Sequence, residues 1–260
     1  MRIAVLIQGE PRFCKEFDLF LERLKGYDQA DFYFYLWKKS QPISDYWRSK
    51  ESILVADPWL DIDQEWAINK IQSNLPPNCN LIKLELADQN NLTFSEIKEN
   101  QSGVNKDNLW KMMYSLYKVN ELKTEYELKN NFVYDLVVKA RPDLMLHNDL
   151  NLNFIKTQID RNNRLVALPD NTRCGDRVPI SDIMAISSSK NMDIYCNLYN
   201  EAYEYYTSGI TFHPETLLAC HLLTYNLDFS QHFGYNIDIR KLGKTLDKEK
   251  YISNFGRWEQ

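Results

Sequence analysis

The sequence predicts an α/β fold in which a mostly parallel central sheet is flanked by helices. Short apolar runs with the composition of strands alternate with longer segments whose apolar residues recur at helical spacing. The runs are apolar at successive positions, as in strands buried on both faces of a sheet. Polar and charged residues follow where the runs end, and ligands in open α/β sheets bind beyond the carboxyl ends of the strands. At 260 residues, a single domain over 1–260 is the simplest organisation.

The first half of the chain begins with a predicted buried strand over residues 1–7. Pro11 is favoured at the first position of a helix, and the apolar spacing that follows predicts a helix that Gly26 ends. The next predicted elements are a strand over 31–37, a helix over 61–75 stopped by Pro76 and Pro77, a strand over 81–86 and a helix over 105–128. Asp107 is the expected cap of the last of these helices, which leads into a strand ending at Arg141.

The second half is less regular. Its predicted elements are strands over 165–168 and 181–186, helices over 188–205 and 214–225, and a strand-like tail. Strands that alternate with helices imply parallel βαβ units with right-handed crossovers.

Composition argues against several classes of protein. The net charge is −5 and basic residues are spread along the chain, whereas a nucleic-acid groove concentrates them on one face. No apolar run approaches the ~18 residues of a membrane span, and the apolar N-terminal stretch is too short for a signal peptide. The five cysteines are far apart and form no CxxC pair, so we expect reduced thiols and a cytoplasmic protein.

The most informative stretch is the apolar strand that ends in the charged cluster Lys139, Arg141 and Asp143. Two cations suit phosphate charge, and a carboxylate can hold a divalent cation through oxygen. The cluster therefore suits an anionic, metal-assisted ligand such as a nucleotide diphosphate. The alternative is a structural ion pair at the end of a strand.

A second candidate lies in the turn over residues 8–12, after the first strand. Gly9 allows a close turn, and backbone N–H groups at a helix N-terminus together with Arg12 favour an anion or a nucleotide edge. Trp37 ends the second strand at the same edge of the sheet, where an indole can flank a base or a sugar ring. An ordinary strand-to-helix turn and a packed Trp37 are the alternatives.

Several nucleotide-binding and catalytic motifs are absent. The chain contains no G-x-G-x-x-G fingerprint, P-loop, H-E-x-x-H or G-x-S-x-G pattern. Dehydrogenase, P-loop kinase, zincin and serine hydrolase functions therefore lose their main support.

Six segments in order resemble the small GT-A-type glycosyltransferases found in bacteriophage genomes and bacterial polysaccharide loci. They are RIAVLIQGEPRF, ADFYFYLW, NLWKMMYSLYKVNEL, YDLVVKARPDL, SDIMAISSSKNMDIYCNLYNEA and FHPETLL, from residue 2 to about residue 225. The resemblance implies a GT-A-like, Rossmann-like sheet, with 1–145 as the nucleotide-sugar-binding half and 146–260 as the acceptor-side half. It implies transfer of a hexose from a nucleotide-diphosphate sugar, with UDP-sugars favoured, to a hydroxyl of a glycan-type acceptor. The location would be the host cytoplasm if a phage encodes the chain.

GT-A enzymes usually place a D-x-D at the end of the fourth of these segments, where it binds the Mn²⁺ or Mg²⁺ that bridges the donor diphosphate. The aligned triplet in this chain is Arg141-Pro142-Asp143. Asp143 can hold a cation together with phosphate and water, since Mg²⁺ often takes one or two carboxylates. Alternatively, Arg141 and Lys139 replace part of the metal's charge on the diphosphate. We expect a divalent ion to contribute.

The resemblance also implies roles for single residues. The expected donor-binding residues are Gln8, Gly9, Arg12, Trp37, Tyr114, Lys118, Lys139, Arg141 and Asp143. Asp182 or Glu215 is expected to take the acceptor's proton, although Asp often caps an element and a helix dipole favours Glu at the first turn. His213 is a candidate metal contact, and a loop over 170–177 is expected on the acceptor side. An inverting reaction needs only one base, whereas a retaining one needs an additional nucleophile or an internal-return geometry, so inversion is preferred.

Two other classes of protein stay open. A sugar nucleotidyltransferase would share the nucleotide-binding sheet, but the glycine-rich Arg-Lys loop expected of it is missing from residues 8–11. A noncatalytic nucleotide-sugar or carbohydrate-binding protein would keep the fold without activity, which the missing first Asp of the D-x-D makes a real alternative.

Overall fold

The computed structural model describes residues 1–13, 17–38, 57–58, 63–97, 105–142, 144, 146, 148–169 and 180–233. The strands in chain order are β1 (Arg2–Gly9), β2 (Arg12–Phe13), β3 (Leu24–Lys25), β4 (Gln29–Trp37), β5 (Asp57–Pro58), β6 (Cys79–Ala87), β7 (Leu136–Ala140), β8 (Leu150–Asn151), β9 (Leu165–Pro169), β10 (Ala185–Ser187) and β11 (Asp228–Phe233). The α-helices are α1 (Phe17–Arg23), α2 (Gln64–Gln72), α3 (Lys106–Asn130), α4 (Leu152–Arg161), α5 (Ser189–Cys196), α6 (Leu198–Thr207) and α7 (Pro214–Thr224).

The centre of the fold is a sheet of seven strands in the order β11-β9-β10-β7-β1-β4-β6. Neighbouring strands pair in parallel except for β10, which runs antiparallel to both β7 and β9. Helices α1, α2 and α4 contribute to the core on one face of the sheet, and α3, α5, α6 and α7 to the core on the other. The predicted α/β fold with a mostly parallel sheet is therefore confirmed.

Strand β1 lies in the middle of the sheet and supplies both cores. Ile3, Val5 and Ile7 enter one core, while Ala4 and Leu6 enter the other. All five are fully buried, and each of the larger side chains contributes about 1.5–3 kcal/mol by leaving water. A strand buried on both faces offers polar chemistry only at its ends.

The helix predicted to begin at Pro11 is wrong in its first and last turns. Arg12–Phe13 instead forms β2, paired with Asp57–Pro58, and Leu24–Lys25 forms β3, paired with Leu150–Asn151. Both pairings join segments that are far apart in the sequence, so local apolar spacing could not indicate them. Between these strands the helix is confirmed over Phe17–Arg23.

Other elements differ in their boundaries. The strand predicted over 181–186 is β10, which begins only at Ala185. The helix predicted over 188–205 is divided at Asn197, whose N–H donates to the carbonyls of both Asp193 and Ile194. Asn105, rather than Asp107, caps α3, because its side chain accepts the N–H of Asn108. Helix α4 was not predicted.

Across the residues described, no helix has the length and apolar character needed to cross a lipid bilayer.

A buried carboxylate, Asp31, ties the amino ends of the central strands together. It accepts hydrogen bonds from Arg2 of β1 (Nε, 2.8 Å), from Asn80 of β6 (2.8 Å) and from Gln29 of β4 (2.9 Å). The hydroxyl of Tyr134, just before β7, donates as well, at 2.8 Å. Burial by itself would raise the pKa of Asp31, but these hydrogen bonds outweigh it and hold the pKa below its ordinary value.

We expect Asp31→Asn to lower the free energy of unfolding by about 2–4 kcal/mol, because the buried donors lose their charged partner. Asp28→Asn is the matched control, since the Asp28 side chain is 88% exposed beside the N-terminal ammonium and should contribute little. Urea denaturation measures both variants. Equal stability of the two variants would show that the Asp31 network is not structural.

The pH dependence of that difference has a definite sign. A depressed folded-state pKa stabilises the fold above the ordinary Asp pKa of about 3.9, and the contribution is lost as the pH falls through the folded-state value. Urea denaturation at decreasing pH should therefore show the parent losing its advantage over Asp31→Asn below about pH 4. A difference that stays constant at acid pH would contradict this assignment.

Candidate functional site

The candidate site lies where the order of the strands reverses. From β1 the chain builds outward through β4 to β6, and it then returns to place β7 on the other side of β1. Neighbouring βα connections leave in opposite directions at such a point, which opens a crevice at the carboxyl ends of the two strands. In this chain the crevice lies beyond the ends of β1 and β7.

A cleft of about 210 Å³ occupies this position. Its lining residues are Gln8, Gly9, Glu10, Trp37, Gln89, Asn108, Lys111, Met112, Arg141 and Pro142. Four of the predicted donor-binding residues, Gln8, Gly9, Trp37 and Arg141, are therefore brought together, although they come from three different strand ends.

The carboxyl end of β1 and the residue after it line the cleft. Gly9 has a φ of 111°, which side chains other than glycine rarely adopt. Gln8 is buried, and its Oε1 accepts a hydrogen bond from the hydroxyl of Ser115 on α3. This bond fixes the Gln8 amide relative to α3, which also lines the cleft.

Trp37 lines the cleft but is 2% exposed and packed among aromatic neighbours, so the alternative of a packed Trp37 is confirmed. Tyr114 stacks on it with ring centroids 6.2 Å apart and planes 18° from parallel, and Tyr35 meets it edge to face at 5.8 Å. Tyr114 does not line the cleft, and neither does Lys118, whose ammonium binds Glu121. Tyr114 thus contacts Trp37 without lining the cleft itself.

The face of α3 that meets the cleft carries Asn108, Lys111 and Met112, followed one turn later by Ser115. These positions follow i, i+3, i+4, i+7 spacing, and Lys118 continues the same face beyond the cleft, which it does not line. Lys111 Nζ donates a hydrogen bond to Oε1 of Gln89, which also lines the cleft, at 3.1 Å. Neither Lys111 nor Gln89 was among the expected donor-binding residues.

Lys139 occupies a different place from Arg141. Its side chain is buried, with 1% of the residue exposed, and Nζ donates to the backbone carbonyls of Asp182 and Ile183. Arg141 lines the cleft two residues later. Lys139 therefore anchors the turn before β10, whereas Arg141 is the cation that faces the cleft.

Asp182 interacts electrostatically with both cations and with Glu215. Burial is the main cause that raises the pKa of Asp182, and the charge of Glu215 adds to it, while Lys139 and Arg141 act in the opposite direction. Glu215, in the first turn of α7, lies 2.8 Å from His213 Nδ1. The structure thus gathers Asp182, Glu215, Lys139 and Arg141 into one electrostatic cluster.

Several predicted residues lie outside the part of the chain that the structure describes. They are Asp143, the side chain of Arg12 and the loop residues 170–177 with Asn171, Arg173 and Asp176. Among the residues that are described, no three His, Cys, Asp or Glu side chains come together as a metal site. His213 contacts Glu215 in this arrangement.

A second cleft of about 390 Å³ adjoins the first and shares Gln89 and Lys111 with it. The stacked rings of Phe94 and Trp110, 5.9 Å apart, form one wall. Charged groups of Glu96 and Asp107 are also part of the lining. An elongated ligand therefore has room beyond the first cleft.

No protein-family model matches this sequence, and no curated protein matches it closely enough to be a relative. Conclusions about function rest on the geometry and chemistry of the cleft.

The position of Lys139 leads to a prediction about stability. Lys139→Met keeps the aliphatic stem but removes the ammonium that holds two carbonyls, so we expect a loss of about 1.5–3 kcal/mol in the free energy of unfolding. Lys156→Met is the control, because Lys156 forms a surface pair with Asp160 that contributes about 0–1 kcal/mol. Urea denaturation that finds the two variants equally stable would contradict the anchoring role.

Proposed function

We propose that the protein is a GT-A-type glycosyltransferase that moves a hexose from a nucleotide-diphosphate sugar to a hydroxyl of a glycan-type acceptor, with UDP-sugars as the favoured donors. One observation carries the proposal: side-chain amides and two cations, Lys111 and Arg141, converge in a cleft at the reversal of strand order. The parallel sheet with one antiparallel strand is compatible with the GT-A resemblance.

The cleft supplies the groups that a nucleotide diphosphate requires. Gln8 and Asn108 offer amides for the polar edge of a base or ribose, and the buried Trp37 bounds the cleft beside them. Arg141 and Lys111 offer cations for the diphosphate. As the bond to the sugar breaks, negative charge grows on the leaving diphosphate, and preorganised cations stabilise that charge.

The acid cluster supplies the base. As the acceptor oxygen bonds to the anomeric carbon, the bond from that carbon to the diphosphate oxygen breaks, and the acceptor's proton passes to a carboxylate. Asp182 suits this role because a raised pKa makes its carboxylate a stronger base than an exposed one. Glu215 is the alternative base. One base suffices for inversion, which we propose on that ground.

A divalent cation fits the same proposal. Asp143 follows Arg141 in the sequence and offers one carboxylate, and Mg²⁺ or Mn²⁺ commonly combines one or two carboxylates with substrate phosphates. Such an ion would neutralise charge on the diphosphate. Arg141 performs part of the same task directly from the protein.

We expect Arg141→Ala to weaken UDP binding by about 10- to 100-fold, because one or two charge-assisted hydrogen bonds to the diphosphate are lost. Isothermal titration calorimetry measures the change. Arg164→Ala is the matched control. Arg164 is half exposed, pairs with Asp228 at 3.2 Å and lies before β9, at the amino ends of the strands and away from the cleft. UDP binding that is equal in both variants and the parent would refute the proposed site.

A panel of nucleotide sugars, each tested with Mn²⁺ and with EDTA, separates the proposed function from its alternatives. Release of UDP from one donor supports a transferase. Pyrophosphate-dependent turnover would instead identify a nucleotidyltransferase. Donor binding without turnover would identify a noncatalytic binding protein.

Activity should depend on pH in a defined direction. Asp182 can accept a proton only when it is ionised, so turnover should fall as the pH drops through a pKa above the ordinary value of about 3.9. Asp182→Asn should lower kcat by about 10²–10⁴-fold while keeping UDP binding. Glu215→Gln is the comparison variant. If Glu215→Gln alone abolishes turnover, the base is Glu215 and the assignment to Asp182 is wrong.

A further inference from the structure

The second cleft is larger than the first and adjoins it at Gln89 and Lys111. Of the expected donor-binding residues that the structure describes, none lines it. The first cleft, at about 210 Å³, is smaller than the ~300–1,000 Å³ of sites that enclose a small-molecule ligand, and the two clefts together fall within that range. A ligand that fills the first cleft therefore has space to continue into the second.

The segment after β6 forms one wall of the second cleft and is fixed to α3. Trp110 is 4% exposed, and its ring is stacked on that of Phe94 with planes 8° from parallel. Its Nε1 donates to the carbonyl of Ser95 at 3.2 Å, and Nζ of Lys106 donates to the carbonyl of Ile97. These contacts hold the wall in place without a ligand, so the cleft is preformed.

The two clefts differ in charge. Arg141 lines the first cleft and not the second. Among the described residues that line the second cleft, the carboxylates of Glu96 and Asp107 balance the ammonium groups of Lys106 and Lys111. A diphosphate therefore fits the end of the first cleft at Arg141, whereas the second cleft fits an uncharged polar group.

The position of Asp182 gives the ligand a direction. Nζ of Lys139, on β7, donates to the backbone carbonyls of Asp182 and Ile183, so the proposed proton acceptor belongs to the end of the site at β7 and Arg141. The transferred sugar must lie at that end, next to the diphosphate. Among the described residues, none from β7 or from the turn before β10 lines the second cleft. The second cleft is thus left for the opposite end of the donor, which is the nucleobase.

We propose that the nucleobase of the donor binds in the second cleft against the ring of Phe94, with the diphosphate at Arg141 and the ribose in the first cleft between them. This inference rests on the proposed transferase function. Phe94 is partly exposed and lines the cleft, so a flat nucleobase can pack on its ring. The carboxylates of Glu96 and Asp107, both exposed, accept ring N–H groups such as N3–H of uracil.

Phe94→Leu tests the proposal because it keeps an apolar side chain and removes the aromatic ring. Isothermal titration calorimetry with Mg²⁺ present compares UDP with inorganic pyrophosphate, which carries the diphosphate charge without a nucleobase. We expect the variant to bind UDP at least about fivefold more weakly, as base–aromatic stacking is lost, and to bind pyrophosphate as the parent does. Arg141→Ala should weaken the binding of both ligands.

Ser95→Trp is a second variant, which leaves the Phe94 ring in place. The exposed Ser95 side chain lines the cleft, so an indole at this position would occupy the space of the nucleobase. UDP binding should fall, and pyrophosphate binding should not change. Phe154→Leu is the matched control, because Phe154 is 54% exposed on α4, which packs on the other face of the sheet. Urea denaturation checks that each variant is folded.

The outcomes separate this inference from the proposed function. If UDP binding is unchanged in folded Phe94→Leu and Ser95→Trp but weakened in Arg141→Ala, the nucleobase site is wrong and the proposed donor site stands. Equal losses of UDP and pyrophosphate binding in Phe94→Leu would also overturn the nucleobase site. If Phe94→Leu does not fold, the result for Ser95→Trp decides. UDP binding that is absent from the parent, or unaffected by Arg141→Ala, would refute the proposed donor site itself.

Discussion

The complete burial of the central strands is the constraint from which the rest of the structure follows. Because β1, β4 and β7 are covered on both faces, their side chains contribute to the cores, and polar groups that face solvent are confined to the strand ends. At the amino ends, polar groups stabilise the fold, because hydrogen bonds to Asp31 join the strands there. The carboxyl ends form the cleft, so the two ends of the same strands have separate tasks.

Two cations that are close in sequence do different work because of that burial. Lys139 is still within β7, so its ammonium satisfies carbonyls of the turn before β10 and positions Asp182. Arg141 lies beyond the strand and reaches the cleft. A displaced turn would move the proposed base relative to the proposed donor, which couples the interior of the sheet to the chemistry at its edge.

Sequence patterns were reliable where an element is long and packs against the sheet. The strand predicted over 31–37 is β4 and the helix predicted over 105–128 is α3, each within a few residues of its observed bounds. Continuous apolar runs and helical periods indicate burial directly. They failed where pairing with distant segments decides the structure, as at Arg12–Phe13 and Leu24–Lys25. Tyr114 and Lys118 stay predicted donor-binding residues that do not line the cleft, whereas Asn108 and Lys111 of the same helix do.

The α/β class and the strand-end residues that line the cleft could be predicted from the sequence alone, because strand composition, turn residues and burial leave local patterns in the chain. Two outcomes needed the packed fold: which residues of α3 line the cleft, and that the Lys139 ammonium binds the carbonyls of the turn before β10. These outcomes depend on how elements distant in sequence pack together. That packing is set by the sum of many contacts across the cores, which no local pattern records.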